Sequence, residues 1–365
     1  MALRLTHLKL SHFRSHQRME AAFDGRPVVF LGANGAGKTN LLEAISLLSP
    51  GRGLRRAAPD DLIRRPQGIG WKITATIARG ESLHEVETSA LPGQSRGLRI
   101  DAKAVPQSAL GRLASMLWLT PAMDRLWIEA AEGRRRFLDR MVLAFAPDHA
   151  EVSLTYEKAM RQRNRLLRDQ ARDGAWYGAL EAQMAQSGAR ISANRRAVID
   201  RLARAGDPAG AFPAADLTLL CDAPADEAAL ARALATGRRA DMAAGRSLTG
   251  PHRADLGALW RARGMSAAQC STGEQKALLL SLVLANARAL AEDTGAPPIL
   301  LLDEVSAHLD APRRAALFDA LCDLGAQAFL TGTEATLFAA LGPRAAWFTL
   351  SDDAGHSHLT ESPAP

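Results

Sequence analysis

Two short segments carry the chemistry of this chain, and they lie far apart. Gly32-Ala33-Asn34-Gly35-Ala36-Gly37-Lys38-Thr39 fits the pattern G-x-x-x-x-G-K-[ST]. Glycines at Gly32, Gly35 and Gly37 let a backbone bend around phosphates and turn its N–H groups toward them. A helix opening at that point adds the positive end of its dipole. Lys38 reaches β- and γ-phosphates in such a loop, Thr39 offers its hydroxyl to Mg²⁺, and Asn40 follows in the helix. About 260 residues later, Ile299-Leu300-Leu301-Leu302 delivers Asp303 and Glu304. Asp303 suits the shell of a hard cation, with Thr39 as the other protein ligand. Glu304, one residue on, faces a different way and suits polarising an attacking water. The plain alternative for an Asp-Glu pair after a strand is a helix cap. Together the segments describe a site for a nucleoside triphosphate and its Mg²⁺.

A third segment lies between them. Ser271-Thr272-Gly273-Glu274-Gln275-Lys276 reads first as a capping box, S-x-x-E, opening a helix. Gly273 inside the box costs a helix about 1 kcal/mol against alanine. A glycine there suits close approach of another group. A serine hydroxyl, bare amides and a helix N-terminus together make an anion site, so Ser271 and Gly273 join the candidate phosphate-facing residues.

These motifs need elements to hold them. Leu3 to Leu10 alternates and predicts a strand, and Val28 to Leu31 predicts a buried strand entering the glycine loop. Thr39 to Leu48 predicts the helix after it. Trp71 to Ala78 and Leu83 to Thr88 predict paired strands, with another within Leu98 to Val105. From Pro121 the pattern turns to long helices: one opening at Gly133, a second over Glu151 to Asp173, a third over Trp176 to Arg204. Pro208 to Pro224 is broken and has room for a strand, and Asp226 to Ala244 is helical again. Ser271 to Ala291 predicts a helix, Ile299 to Leu302 a buried strand, and Ala326 to Thr331 the next strand. The reading is an α/β fold in two lobes with mixed sheets. Residues 1–110 and 265–350 form the nucleotide lobe, 111–264 an inserted, mainly helical lobe, and 351–365 a frayed tail.

Composition narrows the class. The 365 residues are 47% hydrophobic and 5% aromatic, enough for a large core. Lys+Arg is 45 against Asp+Glu 39, a net charge of +6, and the pI is near 9.6. Such a balance fits a nucleic-acid partner or an Arg-rich solvated surface. Three arginine clusters are candidates for DNA phosphates: Arg52, Arg55, Arg56, Arg64 and Arg65; Arg134, Arg135, Arg136 and Arg140; and Arg161, Arg163, Arg165 and Arg168. Surface charge pairing is the bland reading for about half of them. The cysteines Cys221, Cys270 and Cys322 show no metal or disulfide spacing. The start, Met1-Ala2-Leu3-Arg4-Leu5, lacks a long apolar core, and no stretch is long enough to span a bilayer. A cytoplasmic protein without a membrane segment is expected.

The Ser271 to Gln275 segment resembles the signature motif of ABC-type ATPases, directly upstream of the helix and strand that carry the carboxylates. Ser306-Ala307-His308-Leu309-Asp310 resembles that family's D-loop. The long insertion matches the SMC-like and RecF branch. Within it, Phe13-Arg14-Ser15-His16, Gly133 to Asp139, Tyr156-Glu157-Lys158 with Arg161 to Asn164, and Gly250-Pro251-His252-Arg253-Ala254-Asp255-Leu256 resemble RecF-family motifs over nearly the whole chain. A coiled-coil head would need sustained heptads, which are absent.

The resemblance implies a recombination mediator with weak, DNA-stimulated ATPase activity. ATP would drive a head-to-tail homodimer that clamps single- or double-stranded DNA at gaps and stalled forks. Slow hydrolysis would release it. RecO and RecR are the implied partners, in loading RecA. Ser271, Gly273 and Gln275 would act in trans, and Lys38, Thr39, Asp303 and Glu304 in cis. Two departures stand out. A histidine usual after the next strand is replaced within Leu330-Thr331-Gly332-Thr333-Glu334, leaving Thr331 or Thr333 to face the γ-phosphate. Thr120-Pro121-Ala122-Met123-Asp124 stands where a glutamine loop is expected. The rivals are a transporter's ATP-binding subunit, which wants that glutamine and histidine, and a small-molecule kinase, which would leave Ser271 to Gln275 unexplained.

Overall fold

A computed structural model describes residues 3–206 and 210–365; the expectation over Pro208 to Pro224 therefore falls partly outside the described residues. In chain order the first part holds β1 (Leu3–Phe13), β2 (His16–Ala22), β3 (Val28–Leu31), α1 (Lys38–Ser46), β4 (Trp71–Arg79), β5 (Ser82–Ala90), β6 (Gly97–Ile100), β7 (Lys103–Ala104), the single turn α2 (Leu110–Leu113) and β8 (Met116–Leu119). Next come α3 (Ala131–Phe145), α4 (His149–Arg168), α5 (Gly174–Arg204), β9 (Ala215–Leu220), α6 (Glu227–Thr236), α7 (Arg238–Ala244), β10 (Asp255–Trp260) and β11 (Met265–Ser266). The chain closes with α8 (Thr272–Thr294), β12 (Ile299–Leu302), α9 (Ala311–Asp323), β13 (Ala328–Gly332), β14 (Ala346–Asp353) and β15 (His356–Ser362).

Two compact units result. The first runs to Arg125 and resumes at Ser271–Pro365, with a short piece before Ala215; the second is Leu126–Gly206 with Ala215–Cys270. Within the first unit, β1 shows how the pattern selects its face. Leu5, Leu8, Leu10 and Phe13 are fully buried. A bulge between Leu5 and His7 resets the alternation, so that Leu5 and Leu8, three apart, both point inward. This strand lies in the antiparallel sheet β2-β1-β4-β5-β6-β7.

The second sheet of this unit has the order β15-β14-β3-β13-β12-β8. Strands β14, β3, β13, β12 and β8 are parallel neighbours. Their apolar runs follow from that: Ile299, Leu300, Leu301 and Leu302 are all buried, as expected of a strand covered on both faces. Helix α8 is apolar from Ala277 to Leu284 except for Ser281, whose hydroxyl donates to Leu278 O, and is buried accordingly. It stops at Gly295, which adopts the left-handed conformation at φ 74.

Two expectations are corrected here. Residues 351–365 are not a frayed tail. Trp347, Phe348 and Leu350 pin β14 into the core, and β15 pairs along it from Trp347–Ser362 to Asp353–His356. The boundary of the inserted lobe also moves. Met116-Leu117-Trp118-Leu119 pairs residue for residue with Ile299 to Leu302, so β8 belongs to the nucleotide unit. The second unit is helical apart from the three-stranded sheet β11-β10-β9. Its core joins Tyr156, Ala159 and Leu167 of α4 to Tyr177, Leu180 and Met184 of α5 and Leu230 and Leu234 of α6. The helical stretch expected over Asp226 to Ala244 is present as two helices that meet at Gly237.

Candidate nucleotide site

Parallel strands carry their following loops to one edge of the sheet, where ligands bind in open α/β folds. Strand β3 feeds the glycine loop and β12 feeds Asp303-Glu304, with β13 between them. The 260-residue separation in sequence thus collapses to one intervening strand. Gly37 is the residue before α1 and sits at φ 100, a conformation costly for any residue with a Cβ. Gly35, at φ 88, has nothing within 4 Å of where a Cβ would stand, so this stretch of loop faces open space.

Lys38 is folded onto its own loop. Its Nζ donates to Gly32 O at 2.7 Å and Ala33 O at 2.9 Å. Burial lowers its pKa from the ordinary lysine value, opposed by the charges of Glu304 and Asp303. Ala33, Asn34 and Gly35 are exposed. Thr39 Oγ1 donates to Asp303 Oδ1 at 3.0 Å, bringing together the two expected metal ligands. Thr331 Oγ1 donates to the same carboxylate oxygen at 2.7 Å and accepts from the Glu304 N–H at 2.9 Å. Thr331 is fully buried at the end of β13, whereas Thr333 is exposed. Of the two threonines in the place of the missing histidine, Thr331 is the one built into the site.

Glu304 adopts φ 50 and ψ 29, an uncommon left-handed conformation for a residue with a side chain. It occupies the cap position of a short helical turn, Val305–His308, yet its side chain makes no capping bond. The capping explanation of the Asp-Glu pair therefore fails, and a strained, half-buried carboxylate is left at the site edge. Among the described residues no group of three or more His, Cys, Asp or Glu could cage a metal. Thr39 and Asp303 nonetheless fit Mg²⁺, which takes one or two protein oxygens and completes its octahedron with phosphate oxygens and water.

Ser271 precedes α8 and forms the expected capping box, its N–H donating to Glu274 Oε2 at 2.8 Å. Ser271 and Thr272 are exposed, and nothing lies within 4 Å of a Cβ built at Gly273. Gln275 is buried, with its N–H on Ser271 O at 2.8 Å. The outward groups of this segment are thus Ser271, Thr272 and Gly273. Asn40 is likewise engaged internally: its amide donates to Ser15 Oγ at 2.8 Å and accepts from Arg55 at 2.7 Å.

One important residue carries no motif of its own. Lys276 is 1% exposed, with Nζ 3.5 Å from Asp124 Oδ2 and donating to Glu304 O at 3.4 Å. Burial lowers its pKa, and Asp124 opposes that shift. The available signal is a lysine set directly before the apolar run Ala277 to Leu280. Asp124 thereby gains a role for the Thr120 to Asp124 segment.

The arginine clusters divide. Arg64 is buried, donating to Ser15 O at 2.7 Å and Gly355 O at 2.9 Å. Arg55 and Arg14 hold Glu43. Arg134 forks onto Asp255 at 2.7 and 2.8 Å, and Arg135 donates to Ala254 O. Arg163 is fully buried between Glu181 and Asp241. Arg136, Arg161 and Arg165 pair with Glu132, Glu157 and Asp169 at the surface. Arg52 and Arg65 stay exposed.

The RecF/RecN/SMC N terminal domain family matches residues 4–342. The DNA replication and repair protein RecF of Mesorhizobium japonicum is 47% identical over 363 residues, covering 95% of this chain and 96% of that one. The protein of the same name from Brucella suis is 48% identical, covering 94% of each chain. Among solved structures, the recombination mediator protein RecF with ATP superposes with a TM-score of 0.84 at 22% identity, covering 99% of this chain and 98% of that one. An Smc head domain from Pyrococcus furiosus gives 0.59 at 16%, covering 99% and 96%. At these identities the structural matches speak for the fold.

Proposed function

The chain belongs to the RecF family, and from that premise and the geometry above we propose that it is an ATP-switched, DNA-binding recombination mediator. The observation that carries the reading is the shared carboxylate oxygen of Asp303. It receives Thr39 from the glycine loop and Thr331 from β13, while Thr331 also fixes the backbone of Glu304. In this reading the loop amides and the N-terminus of α1 cradle the triphosphate. Lys38 leaves the Gly32 and Ala33 carbonyls for the β- and γ-phosphates. Thr39 and Asp303 would hold Mg²⁺, which would neutralise phosphate charge. Glu304 orients the attacking water.

The exposed face of Ser271, Thr272 and Gly273 serves the second subunit. Its hydroxyl and helix N-terminus complete the partner's phosphate site, so ATP closes a homodimer around DNA. Gln275, being buried, supports that face from within. DNA of either strandedness is held through phosphates, with Arg52 and Arg65 as exposed contacts. Hydrolysis is slow, stimulated by DNA, and opens the clamp. Work with RecO and RecR to load RecA, in the cytoplasm, completes the proposal. Among the described residues no helix is long and apolar enough to cross a membrane.

The test is the mass of the Glu304→Gln protein in solution with and without ATP. The expected result is a monomer that becomes a dimer with ATP, and no dimer when Ser271→Arg is added. Nucleotide binding with a persistent monomer would overturn the trans site. Loss of binding in Lys38→Ala is the control.

A further inference from the structure

The glycine loop is gripped by a segment from the far end of the chain. Ser357 of β15 is buried, its N–H donates to Ser15 O at 3.1 Å, and its hydroxyl donates to Ser15 Oγ at 2.7 Å. Ser15 Oγ in turn accepts from Asn40 Nδ2 at 2.8 Å. Both hydroxyls crowd Gly37: a Cβ there would stand 2.4 Å from Ser357 Oγ and 2.8 Å from Ser15 Oγ. Glycine is needed at this position for that approach as well as for its φ of 100.

The two serines are themselves clamped together. Arg64 sends Nη1 to Ser15 O at 2.7 Å and Nη2 to Gly355 O at 2.9 Å and His356 Nδ1 at 3.0 Å. Arg14, beside Ser15, holds the left-handed φ of 52 and forks onto Glu43 of α1 at 2.9 Å through each of two nitrogens. His16, fully buried, lies with Nε2 3.4 Å from Gly37 O. Residues near 15, 64 and 357 thus converge on one turn of backbone. Successive residues of that turn are pulled to different sides: Thr39 to Asp303, Asn40 to Ser15.

We propose that Ser357 and Ser15 are positioning residues for nucleotide binding: the C-terminal hairpin sets the shape of Gly37–Asn40, and so the aim of the amides and hydroxyl that meet the phosphates. The proposal rests on the nucleotide reading above and adds to it a dependence on the last strand of the chain. Neither serine is asked to touch the nucleotide. Loop amides misaimed by fractions of an ångström lose binding while the fold, which keeps the remaining hydrogen bonds of the clamp, survives.

The experiment uses the full chain and a fluorescent ATP analogue, with thermal unfolding and steady-state kinetics beside it. Ser357→Ala and Ser15→Ala should each raise the Kd roughly fivefold to tenfold, with melting close to the parent's. The double variant should be little worse than either single, because both cut one chain of contacts. KM should rise while kcat holds, since Asp303 and Glu304 are untouched. Ser357→Thr, which keeps the hydroxyl, should restore affinity. Unchanged Kd in both alanine variants, beside lost binding in Lys38→Ala, overturns the positioning role and leaves the nucleotide reading standing. Loss of affinity matched by loss of the fold, and not rescued by Ser357→Thr, also overturns it. A parent protein that binds no nucleotide overturns both.

Discussion

Replacing Thr331 by valine tests the centre of the site at constant shape. The threonine is fully buried, so its hydroxyl has no water to fall back on. It donates at 2.7 Å to Asp303 and accepts at 2.9 Å from the Glu304 N–H. In the variant, Asp303 Oδ1 keeps Thr39 at 3.0 Å, so its loss is one of two partners, about 1 kcal/mol. The partly buried Glu304 N–H loses its acceptor, which costs about 1–3 kcal/mol. The sum is about 2–4 kcal/mol, which lowers Tm by roughly 4–16 °C in a unit of this size. The second effect is on chemistry. Glu304 holds φ 50 against its own preference, and the Thr331 hydroxyl is one of the groups that keep it there. Released, its carboxylate shifts, and hydrolysis should fall roughly tenfold to a hundredfold while nucleotide affinity stays near the parent's. Calorimetry and a phosphate-release assay read the two effects. Thr333→Val, exposed two residues further on, should leave both nearly unchanged. Parent-like melting in Thr331→Val would refute the reasoning, because the hydrogen bonds assigned here would then carry no weight.

His16 gives a pH dependence. Burial holds its pKa down near 4, against 6.5 ordinarily, with Arg64 adding repulsion. The folded state therefore resists a proton that the unfolded state takes up: stability from this residue is full above about pH 6.5 and is lost as pH falls toward 4, about 3 kcal/mol in all. Urea midpoints at pH 7 and pH 5 should differ less in His16→Gln than in the parent. Arg163→Met removes the guanidinium that lies 3.1 and 2.6 Å from Glu181 and Asp241; Glu181 keeps Arg238, while buried Asp241 loses its ion pair. The change should destabilise the second unit by about 3–5 kcal/mol, seen as an early melting step and faster proteolysis of its helices. Arg65→Gln should reduce the salt slope of DNA binding by about one with unchanged melting, whereas Arg64→Gln should lower Tm.

Sequence alone gave the strand–loop–helix of the glycine motif, the β12 carboxylates and the helix after Ser271, because each is a local pattern. The pairing of Thr39 with Asp303 was also legible, since the chemistry of a phosphate site demands it. What stayed hidden depends on partners distant in sequence. Strand β15 alternates weakly in Ser357, Leu359 and Glu361; its order comes from pairing with β14, and the burial of Ser357 from Ser15. Strand β8 is four residues long and is defined by its register with Ile299 to Leu302. Lys276 looked like one more polar residue of a helix start, and its meaning came from Asp124, 152 positions earlier (276 − 124).

The arginines make the same point about charge. Read as runs, Arg64-Arg65 and Arg161 to Arg165 resemble a cationic surface. In the fold, alternate members of each run turn opposite ways. Arg64 is buried among backbone carbonyls while Arg65 is exposed. Arg163 is sealed with two carboxylates while Arg161 and Arg165 lie at the surface in loose pairs. Guanidinium suits both fates, since its fork satisfies several acceptors at once in the interior and phosphates outside. A buried arginine whose charge is answered by carboxylates adds nothing to the field that DNA meets. Net charge counted from composition therefore misstates where the attraction lies. A mutational map of DNA binding should start from residues like Arg52 and Arg65, and should treat loss of binding at Arg64 or Arg163 as loss of the fold until melting shows otherwise.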